Sequence, residues 1–413
     1  MGEKVMTLPL ENVRILDFTI MMQGPHGTMM LGDLGAEILK VERPARIGGP
    51  SGRVDERYGL HGGYGKTPEE NTWYASSFLA HNRNKKSLTV DLKKPQGRAI
   101  ILRLVERCDV VYENFRPGTL DRLGVGYEDC RRVNPSIIYA SATGYGPDGP
   151  YAHRPGQDLI AQALSGVDVM NAPADGRPTP VAISFADTLG AIYGAYGVLA
   201  ALYHRQSTGE GQRVNVCLLD SSIAALSEMA VHFLNTGAEP SRGSAMHGIP
   251  FIPTPYGVYK TKDGYISISG AQTVPTLSKV LGLPNLAEDP RFDTFWKRVN
   301  NRAEMDAVLE GALATKTTAE WMEVMEKADL WVAPVQTFPE TFRDPQVLHN
   351  NMVLTVDSPA GPLKLPGFPY KLSKTPAQVR LPPPQLGQHT EEILQAAGYT
   401  AADIQAFREA EVI

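Results

Sequence analysis

Cysteine is scarce. The 413 residues contain three, Cys108, Cys130 and Cys217, far apart, odd in number and with no CxxC pair. That excludes a disulfide framework and a cysteine zinc site, and it fits a reducing cytoplasm. A basic excess is missing too: 40 Lys and Arg stand against 45 Asp and Glu, a net charge of −5. A weakly acidic chain is a poor nucleic-acid binder, although a local basic cluster can still hold a phosphorylated small molecule. Long hydrophobic runs are also lacking. The longest, "TLGAIYGAYGVLAALY" (188–203), is short for a membrane span. Gly190 and Gly194, at GxxxG spacing, predict a buried helix that packs closely through small residues. The opening "MGEKVMTLPLENVRILDF" has no apolar signal core, and Met6 stands where a myristoylation motif needs Ser or Thr. Neither nucleic acid nor membrane is expected as a partner. No HExxH, no GxSxG and no histidine ligand spacing occurs, so no metal site is expected.

What is present is an alternation of short β runs and helical patterns through the first 220 residues. "VRILDF" (13–18), "EILKVE" (37–42), "DVVYENF" (109–115), "SIIYASA" (136–142) and "RVNVCLLD" (213–220) read as strands. "HGTMMLGDLGA" (26–36), "PQGRAIILRLVERC" (95–108) and "DLIAQALSG" (158–166) read as helices. This order predicts an α/β fold: a Rossmann-like large domain with a mostly parallel sheet. Residues 43–72 are rich in Gly, Pro and charge and read as a long surface loop. The texture changes after 224. A hairpin over 257–270, turning at Asp263-Gly264, and helices near 274–281, 301–312 and 317–328 predict a smaller α+β domain over 225–330. Residues 331–413 are expected to return to the large domain, with 333–338 rejoining the first sheet. A second hairpin and two terminal helices follow.

One stretch, "ATGYGPDGPYAHRPGQD" (142–158), holds a literal GxGxxG at Gly144, Gly146 and Gly149. In a dinucleotide fingerprint a helix begins inside the glycine loop and points its N-terminus at the pyrophosphate. Pro147, Pro150 and Pro155 forbid that helix, because proline fits only a first turn and biases its predecessor away from helical angles. The stretch instead predicts a stiff, extended, exposed loop beyond a strand, leading to a helix headed by Asp158. By spacing alone that aspartate is an N-cap or a surface residue.

Together the motifs identify a resemblance. "LDFT…GP" (16–25), "LGDLGAEILKVERP" (31–44), "NRNKKSLTVDLKKPQGR" (82–98), "DVVYENFRPGTLDRLG" (109–124), "NPSIIYASATGYGPDGP" (134–150), "GQDLIAQALSG" (156–166), "TGEGQRVNV" (208–216) and "LGQHTEEIL" (386–394) make the chain resemble the class III CoA-transferases nearly end to end. That is the family of formyl-CoA transferase, carnitine CoA-transferase and the 2-methylacyl-CoA racemases. The resemblance implies a CoA-transferase that moves CoA from an acyl-CoA to a carboxylic acid. Asp158 is then the nucleophile, forming an aspartyl mixed anhydride and then an aspartyl-CoA thioester. Tyr145 matches an active-site tyrosine, and glycine at Gly144 lets backbone N–H groups approach a reacting carbonyl. Arg43, Lys93, Asn114 and Arg122 match CoA contacts, while the charges of Arg83 and Lys86 suit either CoA or water. CoA enters as a substrate, and no permanently bound cofactor is expected.

Two departures bear on the branch. Gln23 lies one position out of register with the glutamine of formyl-CoA transferase. Residues 247–257, "HGIPFIPTPYG", replace a glycine run with prolines and apolar side chains. In the racemases a histidine precedes the Asp; here it is Gln157, which does not titrate near neutral pH, and this disfavours the racemase alternative. The racemase acid/base position falls on Asp187, for which helix capping is expected. Family members form interlocked homodimers, so a homodimer is implied.

Overall fold

The computed structural model describes residues 8–44, 76–172, 176–240, 247–358 and 361–413. Most of the loop expected over 43–72 lies outside the described residues. Contacts divide the chain into two units: residues 1–165, 182–225 and 349–413 form the first, and residues 166–181 and 226–348 the second.

The first unit is built on a six-stranded parallel sheet. Its strands are β1 (Arg14–Asp17), β2 (Glu37–Glu42), β3 (Lys85–Thr89), β4 (Val110–Glu113), β5 (Ile138–Thr143) and β6 (Arg213–Cys217). They lie in the order β3-β2-β1-β4-β5-β6, all neighbours parallel. The connections are mostly helical: α1 (Gln23–Asp33), α2 (Pro95–Val105), α3 (Thr119–Arg122), α4 (Asp158–Ser165) and α5 (Phe185–Thr208). Strand residues alternate between two cores. Leu16, Leu39, Val111 and Tyr139 face a cluster with Ile100, Ile101 and Leu104 of α2, while Ile15, Ile38, Val110 and Ile138 face Leu31 of α1 and Ala195 and Val198 of α5. The central strands β1, β2, β4 and β5 are covered on both faces, which is why they read as largely continuous apolar runs.

Local chemistry sets the element ends. Pro95 opens α2 in the first turn, where its missing N–H costs nothing. Gly209 closes α5 at φ 76°, a left-handed cap that glycine adopts without strain. The stripe of α5 that includes Gly190, Gly194 and Ala201 is buried, as the GxxxG spacing predicts. A Cβ at Gly194 would fall on the Tyr112 hydroxyl, so glycine there sets the approach of α5 to the sheet.

α6 (Leu218–Thr236) has a non-helical residue at Ser227 (φ 36°, ψ −103°), beside the boundary between the units at 225 and 226. The second unit holds a three-stranded antiparallel sheet of β7 (Tyr256–Lys260), β8 (Tyr265–Ser269) and β9 (Val332–Pro334). α7 (Val274–Leu281), α8 (Arg302–Leu313) and α9 (Thr318–Lys327) pack on it through Leu277, Leu309 and Trp321. The first unit then resumes with the hairpin β10 (Val353–Ser358) and β11 (Gly361–Pro366), α10 (Thr390–Ala396) and α11 (Ala401–Glu409).

Three expectations change. Residues 333–338 do not rejoin the first sheet, because β9 pairs with β8. The second unit runs on to Leu348, past the expected 330, and also takes in 166–181. A strand not foreseen, β3, occupies "KKSLT", where the basic run suited either CoA or water equally.

Candidate active site

The strand order reverses between β1 and β4, and in open parallel sheets ligands bind beyond the carboxyl ends at that reversal. There β1 runs into a buried ionic network. Asp17 is fully buried and accepts from the Thr19 N–H (2.8 Å), the Thr28 hydroxyl (2.8 Å) and Lys85 Nζ (3.0 Å). Lys85 Nζ also donates to the Pro25 carbonyl (2.9 Å), and Lys40 Nζ to the Thr19 carbonyl (2.8 Å). Burial by itself would raise the Asp17 pKa, but the charges of Lys85 and Lys40 outweigh it and hold the carboxyl below its ordinary value. Burial pushes Lys85 down to about 8 despite the pull of Asp17. The network fixes the turn from Thr19 to Pro25, and Asn114 clamps it from β4: its Oδ1 accepts from the Ile20 N–H and its Nδ2 donates to the Ile20 carbonyl, both at 2.8 Å.

Gln23 opens α1 and is buried, and its Nε2 has no hydrogen-bond partner among the described residues. It lies against α5, where a Cβ at Gly190 would come within 2.5 Å of it. Gly190 is close to one turn along α5 from Asp187. Arg43 and Lys93 are exposed beyond the ends of β2 and β3, and Arg122 is exposed at the end of α3. None of the three is in an ion pair among the described residues. Arg83 and Lys86 are engaged internally: Arg83 makes a two-pronged contact with Asp33 (2.9 and 2.7 Å), and Lys86 pairs with Glu37 and Glu392.

Beyond β5 the chain does not run extended, as its prolines suggested, but closes on itself. Gly144 and Gly156 meet backbone to backbone, and a Cβ at Gly144 would sit 2.6 Å from the Gly156 Cα. The Tyr145 hydroxyl donates to the Pro155 carbonyl (3.1 Å), and the Tyr145 ring meets Tyr151 edge-on at 5.8 Å. Gly146, at φ 101°, donates its N–H to Thr143 Oγ1 (2.9 Å), so that donor is occupied. No helix starts within the glycine motif; the next begins at Asp158.

The closed loop delivers Asp158 as the first residue of α4. Its Oδ1 accepts from the Asp187 N–H (3.0 Å) and its Oδ2 from Gln162 Nε2 (2.6 Å). The carboxyl thus faces the first turn of α5, where the helix dipole favours negative charge. Asp187 does not cap α5: it sits in the third helical position, and no hydrogen bond of its carboxyl is found among the described residues. Burial, and then the charge of Asp158, push its pKa up to about 7. Gln162 was not anticipated. Its signal is spacing, since a residue four positions on from Asp158 shares its helix face. Chemically, the sheet edge offers a carboxylate with a donor on each oxygen and three exposed cations suited to phosphates.

CoA-transferase family III matches residues 10–390. A succinyl-CoA:glutarate CoA-transferase of Mus musculus is 39% identical over 390 residues, covering 94% of this chain and 86% of that protein. An acetyl-CoA:oxalate CoA-transferase of Acetobacter aceti is 35% identical over 368 residues, 88% of this chain and 89% of that protein. The crystal structure of a CAIB/BAIF family protein from Brucella suis superimposes with a TM-score of 0.80 at 31% identity, covering 94% of this chain and 99% of that one. With so continuous a match to the family and its structures, the chain belongs to CoA-transferase family III and is an enzyme of that family.

Proposed function

We propose that this enzyme moves CoA from an acyl-CoA to a free carboxylic acid through covalent intermediates on Asp158. The observation that carries the reading is the placement of Asp158: at the head of a helix, beyond a parallel strand's carboxyl end, with both oxygens oriented by donors. The Asp158 carboxylate attacks the thioester carbonyl, giving a mixed anhydride and CoA thiolate. The thiolate attacks the aspartyl carbonyl, forming an aspartyl-CoA thioester and freeing the first acid. The second acid reverses the sequence. Each step exchanges acyl derivatives of comparable energy, so positioning and exclusion of water from the anhydride supply the rate.

Arg43, Lys93 and Arg122 bind the CoA phosphates, and Asn114 holds the Ile20 turn on which the CoA rests. The relatives named for succinyl-CoA with glutarate and for acetyl-CoA with oxalate support a short dicarboxylate as acceptor. The working form is a homodimer. Mass spectrometry of the Asp158 peptide after mixing with succinyl-CoA or acetyl-CoA tests the mechanism. A CoA or acyl adduct on Asp158 is expected, with loss of transfer in Asp158→Ala. Undiminished transfer by that variant removes Asp158 from the mechanism. A screen of carboxylic acids against both donors identifies the acceptor.

A further inference from the structure

Both oxygens of Asp158 are hydrogen-bonded before any substrate binds. One donor is the backbone N–H of Asp187, in the first turn of the 24-residue helix α5. The other is the side-chain amide of Gln162, which is 1% exposed and 2.6 Å from Oδ2. These donors do not help the first attack, because they stabilise the reactant carboxylate and lower its nucleophilicity. The benefit comes in the next step, at one oxygen. The oxygen that attacks becomes the anhydride bridge, and when CoA thiolate adds to the aspartyl carbonyl the other oxygen passes from neutral carbonyl to full oxyanion. The C–S bond forms, the anhydride C–O bond then breaks, and the first acid leaves as a carboxylate with no proton transferred. A donor on that oxygen meets the charge as it develops and accelerates the step.

We propose that Asp158 attacks through Oδ1 and that the Gln162 amide is the oxyanion donor to Oδ2, the oxygen that stays as the aspartyl carbonyl, so that Gln162 is a catalytic residue for CoA capture and release at Asp158. The proposal rests on the reading of Asp158 as nucleophile. It also gives the reaction a hole distinct from the glycine loop, whose Gly146 N–H is taken by Thr143. The same donor serves both halves of the cycle, since the second acid attacks the same carbonyl carbon.

Gln162→Met keeps the length of the side chain and removes the donor. The expected result is a fall in kcat of about 100-fold, the usual effect of deleting one oxyanion donor, with KM for acyl-CoA and the melting temperature unchanged. The stalled anhydride then partitions to water, so the ratio of free CoA released to CoA transferred rises, and the trapped adduct shifts from CoA-Asp158 to acyl-Asp158. Gln162→Glu provides a second test, and serves alone if the Met variant fails to fold. Its side chain donates only when protonated, so its activity relative to wild type rises as pH falls toward about 5, near the ordinary carboxyl range. If wild type labels Asp158 and Gln162→Met transfers CoA within about threefold of it, with an unchanged partition ratio, the hole is elsewhere. A ratio of Gln162→Glu to wild-type activity that does not change with pH overturns the proposal in the same way. Wild type that forms no adduct on Asp158 overturns the nucleophile assignment instead.

Discussion

Asp187 is the residue whose protonation the surroundings govern most directly at this edge. Burial and the Asp158 charge raise its carboxyl to about 7, so below that pH it is neutral beside the nucleophile. Above it, a second negative charge stands beside the carbonyl where an oxyanion must form and where an anionic acid must approach. Turnover is therefore expected to fall as pH rises through about 7, and Asp187→Asn is expected to flatten that limb in a kcat profile. The stability consequence has a definite sign. A carboxyl raised on folding disfavours the native state once the unfolded chain ionises, and the cost grows until pH passes the folded value. Asp187→Asn should accordingly raise the melting temperature more at about pH 8 than at about pH 5. At this scale the sequence was legible where a side chain acts alone and opaque where it acts through a neighbour. Asp158 is nominated through the family resemblance, while its own spacing gives only an N-cap or a surface residue. The bond from the Asp187 N–H and the Gln23 Nε2, which has no partner among the described residues, depend on where α5 lies, and no local pattern encodes that; Gln162, four residues on from Asp158, carried a local signal.

Two elements hold the candidate site in place, and each has one sensitive residue. In the loop between β5 and α4 it is Gly156. A Cβ there runs into the Gly144 backbone, so Gly156→Ala must part the loop's ends and shift the start of α4. We expect transfer to drop by about 100-fold, because displacements near 1 Å carry that cost, while circular dichroism stays native. A variant with wild-type activity would mean that loop closure does not position Asp158. In the turn from β1 to α1 the sensitive residue is Lys85. Lys85→Met leaves Asp17 buried without its closest cation and should destabilise the fold by about 3–5 kcal/mol in denaturant titrations. The same residue explains why β3 escaped sequence reading. Two adjacent lysines suggest solvent, yet Lys85 is fully buried against Asp17 and Lys86 reaches Glu37 and Glu392. The compensating acids lie 68, 49 and 306 residues away. The central strands β1, β2, β4 and β5 carry their signal within themselves, as largely apolar runs buried on two faces.

At the scale of the whole molecule, α5 poses the question. One stripe is buried through Gly190, Gly194 and Ala201, yet Tyr196 is 71% and Tyr203 79% exposed, and Ile192 and Tyr193 are exposed beside them. The neighbouring α4 adds Leu159 and Leu164, also exposed. By length and composition α5 could cross a membrane. Against that stand its glycine stripe, fitted to Gln23 and Tyr112, and the tie of Arg205 to Asp109, which dock it on the sheet. An apolar face on a docked helix, carrying tyrosines with polar ends, suits a protein partner, and a second copy of the same chain is the commonest one. Light scattering at micromolar concentration should give twice the 45.0 kDa chain mass. Tyr196→Glu combined with Tyr203→Glu should shift that mass toward the monomer. Because Asp158 heads α4 and is held by the first turn of α5, the loss of the partner should also lower transfer activity. A double variant that remains dimeric would show that the second copy binds another face, and a wild-type monomer would remove the dimer altogether.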